Sequence, residues 1–213
     1  MARIVALAGA TGLVGSEILE GLVADSSVAE IHVLGRRAIG ATPKVISHVV
    51  DFRALPALPH LDEVYLALGT TIKVAGSREA FRAVDFDANL AVARAAFSAG
   101  ARRAGLVSAM GASSKSRIFY SQVKGELEDA LTTLPLECLV IARPSLLAGD
   151  RERLGQPARR GEKIGVTLSE YLAPLIPENY RSVAPINVAR ALLTRVPVAR
   201  GRQIVLSGAM QQG

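Results

Sequence analysis

The sequence has no tryptophan, a single cysteine, three histidines, and aromatic residues at only 4% of its length. One cysteine excludes an internal disulfide. Cys138 sits inside the apolar run Leu136–Ala142, which reads as a buried strand position and not a nucleophile. His32, His48 and His60 stand far apart with no cysteine or acidic cluster beside them, which argues against a metal site. The net charge is +6, but aromatics are not interleaved with the basic residues, so the chain does not read as a nucleic-acid binder. The densest basic stretch, Arg151 to Arg160, is broken by Gly, Pro and Glu and reads as a solvated loop. No run approaches the length of a membrane span. The opening residues lack the charged region, long apolar stretch and cleavage site of a signal peptide. The expectation is a soluble, cytoplasmic protein that takes a small-molecule substrate, with no nucleic-acid or membrane partner. Oligomeric state and protein partners are not legible.

What is present is apolar. Half of the 213 residues are hydrophobic, enough for one domain with a sizeable core. With few aromatics, Ala, Val, Leu and Ile must fill that core, as they do around buried parallel strands. Apolar runs of strand length recur at Ile4–Ala8, Ile31–Leu34, Val45–Val50, Val64–Leu68, Gly105–Ser108, Leu136–Ala142 and Gln203–Leu206. Helical patterns lie between them. Leu13 to Ala24 carries Val14, Ile18 and Leu22 on one stripe, and Glu79 to Gly100 reads as one long helix with Phe81, Val84, Ala88, Ala91, Val92 and Ala95 towards the sheet. Further helices are expected over Phe119–Leu131 and Ile186–Arg195. This alternation predicts an α/β fold: a doubly wound parallel sheet of the Rossmann type, one domain over residues 1–213. The breaker-rich stretch from 149 to 185 is expected to form a small loop-rich segment covering the substrate crevice.

Gly9-Ala10-Thr11-Gly12-Leu13-Val14-Gly15 joins the first strand to the first helix. Glycines at intervals of three allow a tight turn, close backbone approach to a pyrophosphate, and close helix–strand packing. Free N–H groups and a partial positive charge at the helix start then face the phosphates. The second strand ends Leu34-Gly35-Arg36-Arg37, with no acid where an NAD site places one for the ribose 2′-hydroxyl. Arg36 and Arg37 are either a grip on a 2′-phosphate or ordinary surface arginines, and the first reading makes NADP(H) the expected cofactor and NAD(H) the less favoured one. Asp51 either accepts from the adenine amino group or simply closes the turn after the third strand.

Tyr120-Ser-Gln-Val-Lys124 is the second signal. Residues four apart share a helix face, and an ammonium beside a phenol favours the phenolate. Such a phenol can pass a proton to or from a carbonyl or alcohol oxygen. Together with Ser108 and the glycine loop, in that order, the pair resembles the short-chain dehydrogenase/reductase superfamily. The nearer likeness is to its atypical branch around the human Tat-interacting protein TIP30 and its bacterial relatives. That likeness is carried by Leu68-Gly-Thr-Thr71, Ala75-Gly76, Phe81-Arg-Ala-Val-Asp85, Val123-Lys-Gly-Glu126 and Ala142-Arg-Pro144. It implies a Rossmann fold binding NADP(H), with Tyr120 as proton donor or acceptor. It further implies that Lys124 holds the nicotinamide ribose and tunes Tyr120, that Leu68 and Gly69 line the cofactor cleft, and that Pro144 to Leu147 lie near the nicotinamide. Ser108 is expected to orient a substrate oxygen, with Ser113 or Ser114 as substitutes.

Two positions depart from the family pattern. Ala109 stands where extended members often carry the catalytic Ser or Thr, and Asp85 stands where many carry an Asn, with Asn89 one turn further on. These departures open a second reading, a nucleotide-occupied sensor with little turnover. Asp62 and Glu63 read as a loop pair. Arg143 points either to an anionic substrate or to the sheet edge. Arg151 and Arg153 are candidates to reach the pyrophosphate or a substrate carboxylate.

Overall fold

The computed structural model describes residues 2–40, 42–147 and 177–211. Residues 148–176, which hold Arg151, Arg153 and most of the expected covering segment, lie outside the described residues. The described strands are β1 (Arg3–Ala8), β2 (Val28–Gly35), β3 (Val45–Val49), β4 (Glu63–Leu66), β5 (Arg103–Val107), β6 (Cys138–Arg143) and β7 (Gly201–Leu206). They form one sheet in the order β3-β2-β1-β4-β5-β6-β7, every pairing parallel. The strand order reverses between β1 and β4, so a crevice opens beyond their carboxyl ends, where ligands bind in open α/β sheets.

Helices cover both faces, as the buried apolar strands require. On one face α1 (Leu13–Ala24) and α6 (Pro185–Arg195) pack Val14, Ile18 and Leu22 against Val188, Ala189 and Leu192. Gly21 lets the two helices meet, since a Cβ there would lie 2.3 Å from Leu193. On the other face α4 (Asn89–Ser98) and α5 (Phe119–Thr132) bury Leu90, Val92, Ala93, Ala96, Leu127 and Leu131. The stripe expected on α1 is the buried one.

The expected long helix from Glu79 to Gly100 divides. It comprises α3 (Arg78–Arg82), a π turn (Ala83–Ala88) and α4. The wider π turn rotates the inward face by about one residue. Asp85, Ala88, Asn89, Val92, Ala93 and Ala96 are therefore buried, while Val84, Ala91 and Ala95 are only half-buried. A short helix α2 (Ile72–Ala75), a 3₁₀ turn (Glu178–Tyr180) and α7 (Ser207–Gln211) complete the described elements.

Strand pairing corrects the reading of Glu63 and joins two of the histidines. Glu63 is not in a loop: it opens β4, is buried, and accepts from Arg3 at 2.7 Å and from the Tyr65 hydroxyl at 2.9 Å. Burial, and then the Glu63 carboxylate, pushes the Tyr65 phenol well above its ordinary value. His32 and His48, distant in sequence, meet across the β2–β3 pairing. Their rings stack with 5.2 Å between centroids, Nδ1 of His32 lies 2.9 Å from Nε2 of His48, and Glu30 reaches the other His32 nitrogen. No group of three or more metal-ligating side chains occurs among the described residues. No described helix is long and apolar enough to cross a membrane.

Candidate active site

The glycine loop is packed against backbone too closely for a side chain at Gly9 or Gly15. Gly9 has φ of +94°, and a Cβ there would lie 2.4 Å from the Ala67 carbonyl and 2.7 Å from the Leu68 nitrogen. A Cβ on Gly15 would lie 1.9 Å from the Gly9 oxygen, so α1 sits directly on the loop. Gly12 closes the turn by donating its N–H to the Gly9 oxygen at 3.0 Å and enters α1 with no side-chain cap. Ala10 and Val14 point into the core, Thr11 is exposed, and Leu13 is half-buried. The N–H groups that start a helix have no intrahelical partner. Here they open on the crevice between β1 and β4. The residues present therefore fit a dinucleotide pyrophosphate.

Arg36 and Arg37 follow β2, are exposed, and make no ion pair among the described residues. Asp51 turns back on its own loop, accepting from the Arg53 backbone at 3.0 Å and from its guanidinium at 3.1 and 3.2 Å. Those hydrogen bonds hold its carboxyl below the ordinary value.

The strip after β4 connects the loop to the second half of the site. Leu68 and Gly69 follow the residue that Gly9 touches. A Cβ on Gly69 would lie 3.6 Å from an Asp85 oxygen and 3.9 Å from the Lys124 Nζ. Lys124 and Asp85 are 5% and 0% exposed and form an ion pair at 2.8 Å. The Thr70 N–H donates to the other Asp85 oxygen at 2.8 Å. Asn89, also buried, donates its amide to the Leu68, Val84 and Asp85 carbonyls, while its own Oδ1 has no hydrogen-bond partner among the described residues. The π turn thus brings Asp85, one of the two departures from the family pattern, and Asn89 after it under the β4 strip. Tyr120 stands one turn before Lys124 on α5, half-buried against the Phe81 ring at 5.5 Å.

Ser108 has an internal partner. It is buried, and its hydroxyl donates to Glu128 at 2.5 Å. Glu128, on the same α5 face as Tyr120 and Lys124, also receives Arg143 through two bonds at 3.0 and 2.5 Å, and Arg202 at 3.4 Å. Arg143 is thereby assigned to this internal carboxylate. Glu128 had no role in the sequence reading, although its spacing of four from Lys124 was a signal. Ser113 and Ser114 are held close to α5, because Gly125 packs on their backbone and a Cβ there would lie 2.1 Å from Ser113. Pro144 is buried and its carbonyl accepts from Met110 at 2.8 Å. Leu147 is half-buried and bridges to Val183. Cys138 is buried in β6, and burial pushes its thiol up.

No family model matches the chain. Solved structures share its fold. An oxidoreductase of the short-chain dehydrogenase/reductase family from Burkholderia thailandensis superposes with a TM-score of 0.70 at 18% identity, over 100% of this chain and 94% of that one. WbmG of Bordetella bronchiseptica, solved in complex with NAD, gives 0.69 at 14% identity over 100% of this chain and 76% of its own. Curated relatives are nearer in sequence. The mitochondrial protein fmp52 of Emericella nidulans is 38% identical over 159 residues, 70% of this chain and 68% of that protein. FMP52 of Eremothecium gossypii, also named mitochondrial, is 38% identical over 150 residues, 68% of this chain and 66% of that protein. These names overturn the expectation of a cytoplasmic protein. An organelle address is read by receptors and leaves no mark on the composition of a folded core. On identity and coverage, the chain belongs to the Fmp52 family.

Proposed function

We propose that this chain is an NADP(H)-dependent oxidoreductase of the short-chain dehydrogenase/reductase type, close to the TIP30 branch, acting on a small carbonyl or alcohol with Tyr120 as acid/base. One observation carries the reading. The strip Ala67–Gly69 touches the glycine loop at Gly9 and the Lys124–Asp85 pair at Gly69, so a nucleotide on the loop reaches towards the Tyr120 helix. Gly9, Gly12 and Gly15 present the phosphate cradle, with the backbone of Ala10, Thr11, Leu13 and Val14 forming its wall. Arg36 and Arg37 receive a 2′-phosphate, Leu68 and Gly69 line the cleft, and Pro144 and Leu147 flank its nicotinamide end. The nicotinamide supplies hydride chemistry when bound. Tyr120 holds the proton that the substrate oxygen gains or gives up, and Lys124 orients the ribose. NADP(H) is favoured over NAD(H) because two guanidinium groups with no ion-pair partner among the described residues, and no acid, follow β2.

A second reading, an NADP(H)-occupied sensor with little turnover, is favoured by one specific fact. Ser108 is committed to Glu128 and position 109 is alanine, so the family's orienting hydroxyl has no direct counterpart. Two measurements decide. Fluorescence titration is expected to show NADPH binding about tenfold or more tighter than NADH, a gap that closes in the Arg36→Ser/Arg37→Ser variant; equal affinities in the native chain remove the role given to those arginines. A panel of small carbonyls is expected to show NADPH oxidation that drops at least about a hundredfold in Tyr120→Phe, the scale of general acid catalysis. Undiminished turnover in that variant rejects Tyr120 as acid/base, and no turnover with any carbonyl supports the sensor.

A further inference from the structure

At the pole opposite the nucleotide crevice, the strands begin in charged residues. Arg3 opens β1, Glu63 opens β4, Arg103 opens β5, and Glu137 precedes β6. These strands are neighbours in the sheet, and Glu63 pairs with Arg103 in register. Together with Asp62 and Arg102 they line a cavity of about 320 Å³. Much of their bonding capacity is spent on the fold. Arg3 is bonded to Asp25 and Glu63, Arg102 gives Nη1 to the Phe97 and Ala101 carbonyls, and Arg103 gives Nη1 to the Val196 and Ala199 carbonyls. What is left over has both signs. Glu63 is 1% exposed, and its Oε2 takes both Arg3 and the Tyr65 hydroxyl, so Oε1 has no hydrogen-bond partner among the described residues. That oxygen is not sealed inside the protein, so it faces the cavity its residue lines. Asp62 commits Oδ2 to the Ile4 N–H at 2.7 Å and keeps Oδ1, with His60 at 3.6 Å. Arg102 keeps Nε and Nη2, and Nη2 of Arg103 lies 3.9 Å from the exposed Glu137, too far for a hydrogen bond.

We propose that this cavity binds a small zwitterion, an ammonium joined by a short aliphatic link to a carboxylate. The ammonium donates to Glu63 Oε1 and Asp62 Oδ1, and the carboxylate accepts from Arg102 and Arg103. A buried carboxylate oxygen without a donor is costly, and an ammonium brings three donors to it. The guanidinium fork suits a carboxylate in the same way. A lone cation gains the carboxylates but meets the guanidinium groups, and a lone anion meets the reverse. A molecule of both signs satisfies both walls, so the cavity discriminates by charge pattern as well as by size. Ala2, Gly100 and Pro197 complete the lining without charge, opposite nothing that an aliphatic link would offend. The site is independent of the nucleotide and of Tyr120, because it lies at the amino ends of the strands and the crevice at their carboxyl ends.

Isothermal titration calorimetry of the full chain tests this with glycine, β-alanine and 4-aminobutyrate, beside methylammonium and acetate as probes of one charge each. At least one of the three zwitterions is expected to bind with a Kd tighter than about 10 mM, and at least about tenfold more tightly than either single-charge probe. Glu63→Gln keeps an acceptor for Arg3 and Tyr65 but loses the charge. It is expected to weaken the zwitterion at least about tenfold, the scale of one hydrogen bond to a charged group. Arg102→Gln, at an exposed position, is expected to do the same from the carboxylate side. It decides the matter should Glu63→Gln fail to fold because Arg3 is left unpaired. The assignment is overturned if none of the zwitterions binds tighter than about 10 mM, if acetate or methylammonium binds as well as they do, or if the affinity is unchanged in either folded variant.

Discussion

Three glycines show most directly how single atoms define this site. Gly9 carries a positive φ and abuts the Ala67 carbonyl, Gly15 abuts Gly9, and Gly125 abuts Ser113. In each case the obstacle is backbone, which cannot rotate out of the way. Gly125→Ala is expected to destabilise the protein by about 1–3 kcal/mol, the usual result of overpacking, read as a lower urea midpoint with an unchanged slope. His48 gives a pH signature at the same scale. Burial, and then its neighbour His32, lowers its titration below the ordinary 6.5. The unfolded chain therefore binds a proton more readily than the folded one, and stability falls as the pH drops through about 6.5 and below. The urea midpoint is expected to be lower at about pH 5 than at about pH 7.5, and His48→Gln is expected to flatten that difference. A steeper fall in His48→Gln rejects the assignment. The contact itself was hidden in the sequence, because only the β2–β3 pairing brings positions 32 and 48 together.

Among the elements, the π turn does the most for the site and left the least trace in the sequence. An alanine-rich run with a helical period reads as continuous helix, and nothing between Arg82 and Asn89 signals a change of hydrogen-bond pattern. The demand comes from a distant strip: Leu68 needs a donor for its carbonyl and Thr70 an acceptor for its N–H, and Asn89 and Asp85 supply them. Asn89→Leu keeps the size and removes three donated bonds. It is expected to cost about 1.5–4.5 kcal/mol at about 0.5–1.5 kcal/mol per bond, and to weaken NADPH binding by loosening the strip. Unaltered NADPH affinity in a folded Asn89→Leu protein would separate the strip from the cofactor. The glycine loop and the Tyr120–Lys124 spacing were legible because each is local, a matter of residues three or four apart on one turn. Glu128 was not, because its meaning depends on β5, β6 and β7 meeting α5.

For the whole molecule, Glu128 is where those elements are tied. A carboxylate that is 1% exposed gathers Ser108 from the end of β5, Arg143 from β6 and Arg202 from the edge strand β7. Breaking such a buried pair strands the remaining charge, so Glu128→Ala is expected to cost about 3–5 kcal/mol in urea unfolding. Conservation of the four-way contact in a Glu128→Gln protein, with stability unchanged, would show that its charge is dispensable. Doubly wound topology followed from the alternation of apolar runs and helical stripes, whereas the mitochondrial naming of the relatives had no counterpart in that pattern. The glycine loop carries a consequence for how such a protein can change over time. Its backbone contacts leave no room for a side chain at Gly9 or Gly15, so the phosphate cradle is closed to gradual variation. Arg36 and Arg37 are exposed and make no ion pair among the described residues. On the proposed reading, ribose discrimination can therefore drift by single substitutions at the tip of β2 while the fold stays put, and a lineage can exchange one dinucleotide for the other without passing through an unfolded ancestor.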